Sequence, residues 1–112
     1  MRIGFDFDGT ITKNPFIFKV LIDSLKINNE LYLISGTSIK DKSKLIQELN
    51  TFGLSEMDFT CLVLKEESTS DVNIVSEWKK NKIDTLKIRL YFENREETAN
   101  KIVDLCNVCL FK

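Results

Sequence analysis

Two aspartates near the amino terminus, Asp6 and Asp8, are the residues of this chain best suited to chemistry. They follow a short apolar run, residues 2–5, that is typical of a buried strand, and Gly9 behind them indicates a sharp turn. A carboxylate at the end of a buried strand is costly unless it is paired or coordinates a metal ion. Two aspartates so close together offer hard oxygen ligands for Mg²⁺, a nucleophile and a proton carrier. The alternative is an ordinary acidic turn, because Asp and Gly are common turn residues.

The composition restricts the classes of protein that remain. With 112 residues, 43% of them hydrophobic and 29% charged, the chain predicts one globular domain over residues 1–112. A net charge of −1 indicates neither a nucleic acid nor a membrane surface as partner. The absence of histidine excludes a Ser-His-Asp triad and a histidine-ligated zinc site. Three cysteines and the lack of a signal peptide before the first strand predict a reducing cytoplasm.

Strand-like and helix-like segments alternate along the whole chain. Apolar runs predict strands at residues 2–5, 31–34, 59–64, 88–92 and 108–111. Helical spacing and capping residues, among them Asn14 and Ser38, predict helices at residues 15–28, 38–52, 71–82 and 95–107. Helices between near-continuous apolar strands predict a parallel sheet that is covered on both faces.

Polar residues stand where the predicted strands end. Asp6 and Asp8 follow the first strand, Ser35 follows the second, and Glu93 and Asn94 follow the fourth. In open parallel sheets, ligands bind beyond the carboxyl ends of the strands. We therefore expect these side chains to form one site that accommodates a phosphate group and a metal ion.

With these motifs in this order, the chain resembles the haloacid dehalogenase-like superfamily of phosphatases. Residues 6–10, Asp-Phe-Asp-Gly-Thr, match the first motif of that family in full, and residues 33–36, Leu-Ile-Ser-Gly, match the second. Glu93 and Asn94 occupy the place of the acidic fourth motif. The resemblance implies a three-layer, Rossmann-like α/β core with strand order 5-4-1-2-3 and Mg²⁺-dependent hydrolysis of phosphomonoesters. The connections are too short for an inserted cap domain, so we expect a capless core.

The resemblance also implies the catalytic and metal-binding roles of the matched residues. Asp6 would attack phosphorus and form an aspartyl-phosphate, while Asp8 would act first as general acid and then as general base. Mg²⁺ would be held by the Asp6 carboxylate, the Asp8 backbone carbonyl and the fourth motif. There we expect Asn94 to be the direct ligand and Glu93 to act through water, or the reverse.

The same family resemblance implies which groups bind the phosphate. The Ser35 hydroxyl and the backbone N–H groups of Phe7, Asp8 and Gly36 would hold the phosphate oxygens. Thr10 would orient Asp8. The substrate would be a small phosphorylated molecule or an exposed macromolecular end, because no cap closes the site.

A lysine that screens the nucleophile from the phosphate is the least obvious part of the pattern. Relatives carry it at the start of the helix before the fourth strand, where this chain has Asn73. Lys79 lies further along that helix and, with Lys80 and Lys82, is typical of a solvated helix end. We favour Lys65, which leaves the third strand, and keep Lys79 or no lysine at all as alternatives.

Three further alternatives bear on function. The helix from Pro15 is apolar nearly all round, which predicts burial beneath neighbouring elements or, alternatively, a homodimer face. The Glu93-Asn94 pair and the uncertain lysine leave room for a catalytically degenerate module that only binds phosphate or metal. A receiver domain is excluded, because no aspartate follows the third strand at residues 62–65.

Overall fold

The strands assemble into one parallel five-stranded sheet in a computed structural model that describes residues 1–112. The strands are β1 (Arg2–Phe5), β2 (Glu30–Ser38), β3 (Cys61–Lys65), β4 (Leu90–Glu93) and β5 (Asn107–Leu110). The helices are α1 (Pro15–Leu25), α2 (Lys42–Thr51), α3 (Val72–Leu86) and α4 (Glu96–Ile102). The sheet order is β3-β2-β1-β4-β5, and every pairing is parallel, which confirms the α/β class and the predicted strand order.

Alternation along the central strands divides the core into two clusters. Phe5 lies beside Leu33 of β2 and Phe92 of β4, and the rings of Phe5 and Phe92 stack with their centroids 5.0 Å apart. This cluster also takes up the buried side chains of α1 and α2. The neighbouring strand positions, Ile34 and Tyr91 among them, join buried residues of α3 and α4 in the second cluster. Since successive strand residues point to opposite faces, β1 is buried on both sides.

Helix ends differ from the predicted ones where tertiary contacts decide them. α3 runs on to Leu86 and ends at Lys87, whose left-handed backbone (φ 56°) closes the helix. α4 ends already at Ile102 rather than at residue 107. Ser38 caps as predicted, but it accepts from the Lys40 amide of a short 3-10 turn that precedes α2. Asn14 makes no capping hydrogen bond.

Helix α1 is not buried on all sides, contrary to the first of the two expectations for it. Phe18 and Ile22 point into the core, whereas Phe16 is 80% exposed and Ile17 and Val20 are exposed as well. The three cysteines are free thiols. None of the helices combines the length and the apolar character that crossing a membrane requires.

Candidate functional site

The carboxyl ends of β1, β2 and β4 converge on a cavity of about 400 Å³. Its floor contains the predicted site residues Asp6, Asp8, Ser35, Gly36, Glu93 and Asn94. The structure thus brings together the polar strand ends that the sequence singled out. Phe7 and Lys65 do not line the cavity, and the Phe7 side chain is buried in the core.

Lys79 supplies the positive charge at the centre of this cluster. Its ammonium group donates to Asp6 Oδ1 over 2.7 Å and to Glu93 Oε1 over 3.0 Å. Lys79 is only 5% exposed, so the interpretation as a solvated helix end is wrong. The reason lies in α3, where Lys79 shares the buried face with Ser76 and Ile83 and its long stem carries the charge to the sheet edge.

Lys65, which we favoured for this role, lies elsewhere. It ends β3, which is separated from β1 by β2, so at about 4.8 Å per strand it starts roughly 10 Å away. Its ammonium group donates to the backbone carbonyl of Glu67 over 3.3 Å. The structure therefore does not bring Lys65 to Asp6, and the expectation is corrected in favour of Lys79.

The turn after β1 is built to fit against Asn94. Gly9 has a left-handed backbone (φ 84°), and a Cβ at this position would collide with the Asn94 amide. The Gly9 amide donates to Thr12 Oγ1 over 2.8 Å, which closes the turn. Thr10 donates to Asp6 Oδ2 over 2.9 Å, so it orients Asp6 and not Asp8 as expected.

The side-chain amide of Asn94 is surrounded by acceptors. Its inward atom lies 2.8 Å from Asp6 Oδ2, 3.1 Å from Glu93 Oε2 and 3.2 Å from the Asp8 carbonyl oxygen. An amide nitrogen at this point donates to these oxygens, whereas an amide oxygen requires a cation among them. The hydrogen bonds are satisfied when the nitrogen points inward. With the amide turned, its oxygen would join Asp6 Oδ2 and the Asp8 carbonyl as hard ligands of the kind that Mg²⁺ prefers, so the residue types fit this ion.

The candidate ligand oxygens at and around Asn94 come from carboxylate, backbone carbonyl and amide groups. No group of three or more carboxylate or thiolate side chains converges on a point that a metal ion could occupy. Lys79 already engages one oxygen of Asp6 and one of Glu93, and Glu93 Oε2 accepts from the Asn94 and Arg95 amides. The ligands best placed for a cation are therefore Asp6 Oδ2, the Asp8 carbonyl and the Asn94 amide, with Glu93 beside them.

Ser35 lies within β2, which runs on to Ser38, and not after the strand as expected. Its Oγ accepts from the Thr37 amide over 3.2 Å and lies 2.8 Å from Thr37 Oγ1. Ser35 is buried, yet it lines the cavity together with Gly36. When Thr37 Oγ1 is the donor in its contact with Ser35, Ser35 Oγ accepts twice and its own proton is free for an anion in the cavity.

Burial and neighbouring charges shift the proton affinities of the cluster. The Asp8 side chain is exposed, but the cavity walls partly desolvate it, and this, followed by the negative charge of Asp6, raises its pKa above the ordinary 3.8. Burial also raises the pKa of Glu93, although the Lys79 ammonium opposes this. For Lys79, burial works in the other direction, but Asp6 and Glu93 outweigh it and raise its pKa above 10.5. The site therefore holds Lys79 charged and keeps the Asp8 carboxyl protonated up to a higher pH than an ordinary aspartate.

Two residues of the site, Thr12 and Thr37, were not foreseen, and Lys79 was kept only as an alternative. Lys79 could have been found from its helical spacing with Ile83, which marks the buried face of α3. Thr12 and Thr37 gave no signal, because single hydroxyls in turns and strand ends are common.

Comparisons of the chain with protein-family models, with curated proteins and with solved structures find no match. The function must accordingly be argued from the geometry of the site.

Proposed function

We propose that this chain is a Mg²⁺-dependent phosphomonoester hydrolase of the haloacid dehalogenase-like type that works through an aspartyl-phosphate. The observation that supports this most strongly is the environment of Asp6. Its carboxylate is fixed by Lys79 and Thr10 at the carboxyl end of β1, beside the Asp8 carbonyl and the Asn94 amide and in a cavity that contains Ser35.

In the first step Asp6 acts as the nucleophile. Its hydrogen bonds to Lys79 and Thr10 hold the carboxylate at the cavity floor, where one oxygen attacks phosphorus and the bond to the leaving oxygen breaks. Asp8, with its raised pKa, gives its proton to the departing alcohol. The Ser35 hydroxyl donates to a phosphoryl oxygen.

In the second step Asp8 reverses its role. It takes a proton from a water molecule, and the oxygen of that water attacks phosphorus and releases Asp6. Asp6, the Asp8 carbonyl and Asn94 would hold Mg²⁺, which would neutralise negative charge on the phosphoryl group. Lys79 lowers the repulsion between two carboxylates and an incoming dianion, because its charge lies between Asp6 and Glu93.

The wider architecture agrees with this proposal. Two separate core clusters, one with α1 and α2 and one with α3 and α4, support a three-layer core. Only α1 stands between the Asp6 turn and β2, and no strand or α-helix stands between α2 and β3, which supports a capless, open site. Such a site accepts either a small molecule or an exposed macromolecular end.

A steady-state assay with a generic aryl phosphate tests this function. We expect turnover that requires Mg²⁺, disappears with excess EDTA, and is lost in Asp6→Asn. Asp104→Asn, an exposed aspartate outside the cavity, is the matched control and should behave like the unmodified chain. Binding of inorganic phosphate without turnover of any phosphomonoester would instead favour the degenerate binding module.

A further inference from the structure

The mouth of the cavity carries charges of both signs that the hydrolysis itself does not use. Asp41, Lys44 and Glu48 line it on one side, and Arg95 lines it at the start of α4. All four side chains are exposed, and none of them forms an ion pair within the chain. These charges are free to contact a bound molecule.

The wall formed by α2 presents its charges in a fixed direction. Lys44, Leu45 and Glu48 fall on one stripe of the helix, since residues three and four apart are neighbours on a helix surface. Leu45 is buried and holds this stripe against the protein, so Glu48 is held towards the cavity one turn away. Only Leu45 and Val75 are apolar among the residues that line the cavity, which indicates a polar leaving group.

Glu48 and Arg95 reach the cavity that contains Asp8 from opposite faces of the sheet. This follows because α2 packs into the core cluster on one face and α4 into the cluster on the other. In the proposed mechanism Asp8 contacts the leaving oxygen. The carbon skeleton attached to that oxygen therefore lies between an anionic and a cationic side chain.

The Glu48 carboxylate at the mouth of a phosphate-binding cavity needs an explanation. Glu48 repels a phosphate dianion and weakens binding unless the substrate itself supplies a positive charge. Arg95, conversely, offers a planar fork that matches a carboxylate. We propose, building on the proposed function, that the substrate is a phosphomonoester of a zwitterionic alcohol, as in an O-phosphorylated free amino acid, with Glu48 binding its ammonium group and Arg95 its carboxylate. A cavity of about 400 Å³ accommodates such a molecule.

Four substrates that differ only in charge test this assignment. O-phosphoserine carries both groups, phosphoethanolamine lacks the carboxylate, 3-phosphooxypropanoate lacks the ammonium group, and ethyl phosphate lacks both. We expect each charge to raise kcat/KM about three- to fivefold, the effect of one solvent-exposed ion pair. O-phosphoserine should then exceed ethyl phosphate about tenfold or more.

Two variants assign each charge to its partner. Glu48→Gln should bring the ratio of kcat/KM for O-phosphoserine over 3-phosphooxypropanoate close to one, and Arg95→Gln should do the same for the ratio over phosphoethanolamine. These ratios cancel any effect of the variant on the chemical step, including the loss of a charge near Asp8. Glu97→Gln, an exposed carboxylate on α4 outside the cavity, should leave all ratios as they are.

The outcomes separate this assignment from the function beneath it. If all four substrates turn over within about twofold of one another, or if Glu48→Gln lowers all four alike, the zwitterionic leaving group is wrong and the hydrolase stands. If none of the four, nor an aryl phosphate, is hydrolysed with Mg²⁺ present, the proposed function fails and the substrate assignment fails with it.

Discussion

At the scale of single residues, the buried ammonium group of Lys79 decides how the site holds together. It lies within 3.0 Å of carboxylate oxygens of both Asp6 and Glu93, and all three side chains are nearly inaccessible. Burying such charges is tolerable only while they are paired and hydrogen-bonded. Lys79 therefore stabilises the fold of the metal-free chain as well as screening the nucleophile in the proposed mechanism.

We predict that Lys79→Met lowers the free energy of unfolding by about 3–5 kcal/mol, because it leaves two buried carboxylates without a counter-charge. Urea unfolding in EDTA at pH 7 measures this. Lys65→Met is the matched control and should change the free energy by less than about 0.5 kcal/mol, since Lys65 contacts only a backbone carbonyl outside the site. Equal effects of the two variants would show that the ion pairs at Asp6 and Glu93 contribute nothing to stability.

The sequence located most single site residues but favoured Lys65 over this lysine. Asp6 and Asn94 could be predicted, because each directly follows a strand and the strand end fixes where the side chain lies. Ser35 was expected after β2 but lies inside it, before the register shift towards Ser38, and it still lines the cavity. Lys79 sits in mid-helix, and its position along the helix axis alone placed it too far away. Its flexible stem spans the remaining distance, a reach that residue spacing does not reveal.

At the scale of elements, the turn between β1 and α1 aligns the site. Its shape depends on Gly9, which combines a left-handed backbone with close contact to the Asn94 amide. Asn94 in turn stands at the end of β4, so this contact joins two neighbouring strand ends. The sequence predicted the turn from Asp-Gly but could not show that it packs against the fourth motif.

We predict that Gly9→Ala weakens Mg²⁺ binding about ten- to hundredfold, because the added methyl group displaces the Asn94 side chain, a proposed metal ligand. Gly53→Ala provides the matched control. Gly53 has a similar backbone (φ 79°), but its Cβ would meet only the flexible Lys19 side chain at 3.3 Å. Both variants should lose about 1–2 kcal/mol of stability from backbone strain. Titration calorimetry with Mg²⁺ tells them apart, and an unchanged affinity in Gly9→Ala would contradict the placement of Asn94.

Element boundaries show what local sequence does not determine. The strands were predicted within a few residues, and the apolar runs with intervening helices were enough for a parallel sheet. The order of the strands came only from the family resemblance. Helix α4 ended early because residues 107–110 pair with β4 instead of continuing the helix. Pairing with a distant strand overrides local helical preference, and only the tertiary structure reveals it.

At the scale of the whole molecule, the site imposes a cost on stability. Burial and the charge of Asp6 disfavour the ionised form of Asp8, and burial does the same for Glu93. Groups whose pKa is raised on folding stabilise the fold at low pH, and this contribution is lost as the pH rises through the raised pKa. An active site that brings several carboxylates close together therefore lowers stability in return for activity.

We therefore predict that Asp8→Asn is more stable than the unmodified chain at pH 7 in EDTA, although it should lose turnover. The difference in the free energy of unfolding should shrink as the pH falls towards 3.8, the ordinary pKa of an aspartate, because Asp8 is then neutral in both states. Urea unfolding at several pH values from 7 downwards gives this profile. A difference that grows as the pH falls would contradict the sign of the shift.

The most direct test of the central claim is to trap the phosphoryl group on Asp6. Asp8→Asn removes the general base of the second step, so after incubation with a ³²P-labelled aryl phosphate and Mg²⁺ an acid quench should capture labelled protein. We expect the label on the peptide that contains Asp6, and we expect hydroxylamine to release it, as it does from an acyl phosphate. The Asp6→Asn variant should carry no label. Phosphate release by the unmodified chain with no protein-bound label in Asp8→Asn, or a label on another residue, would contradict Asp6 as the nucleophile.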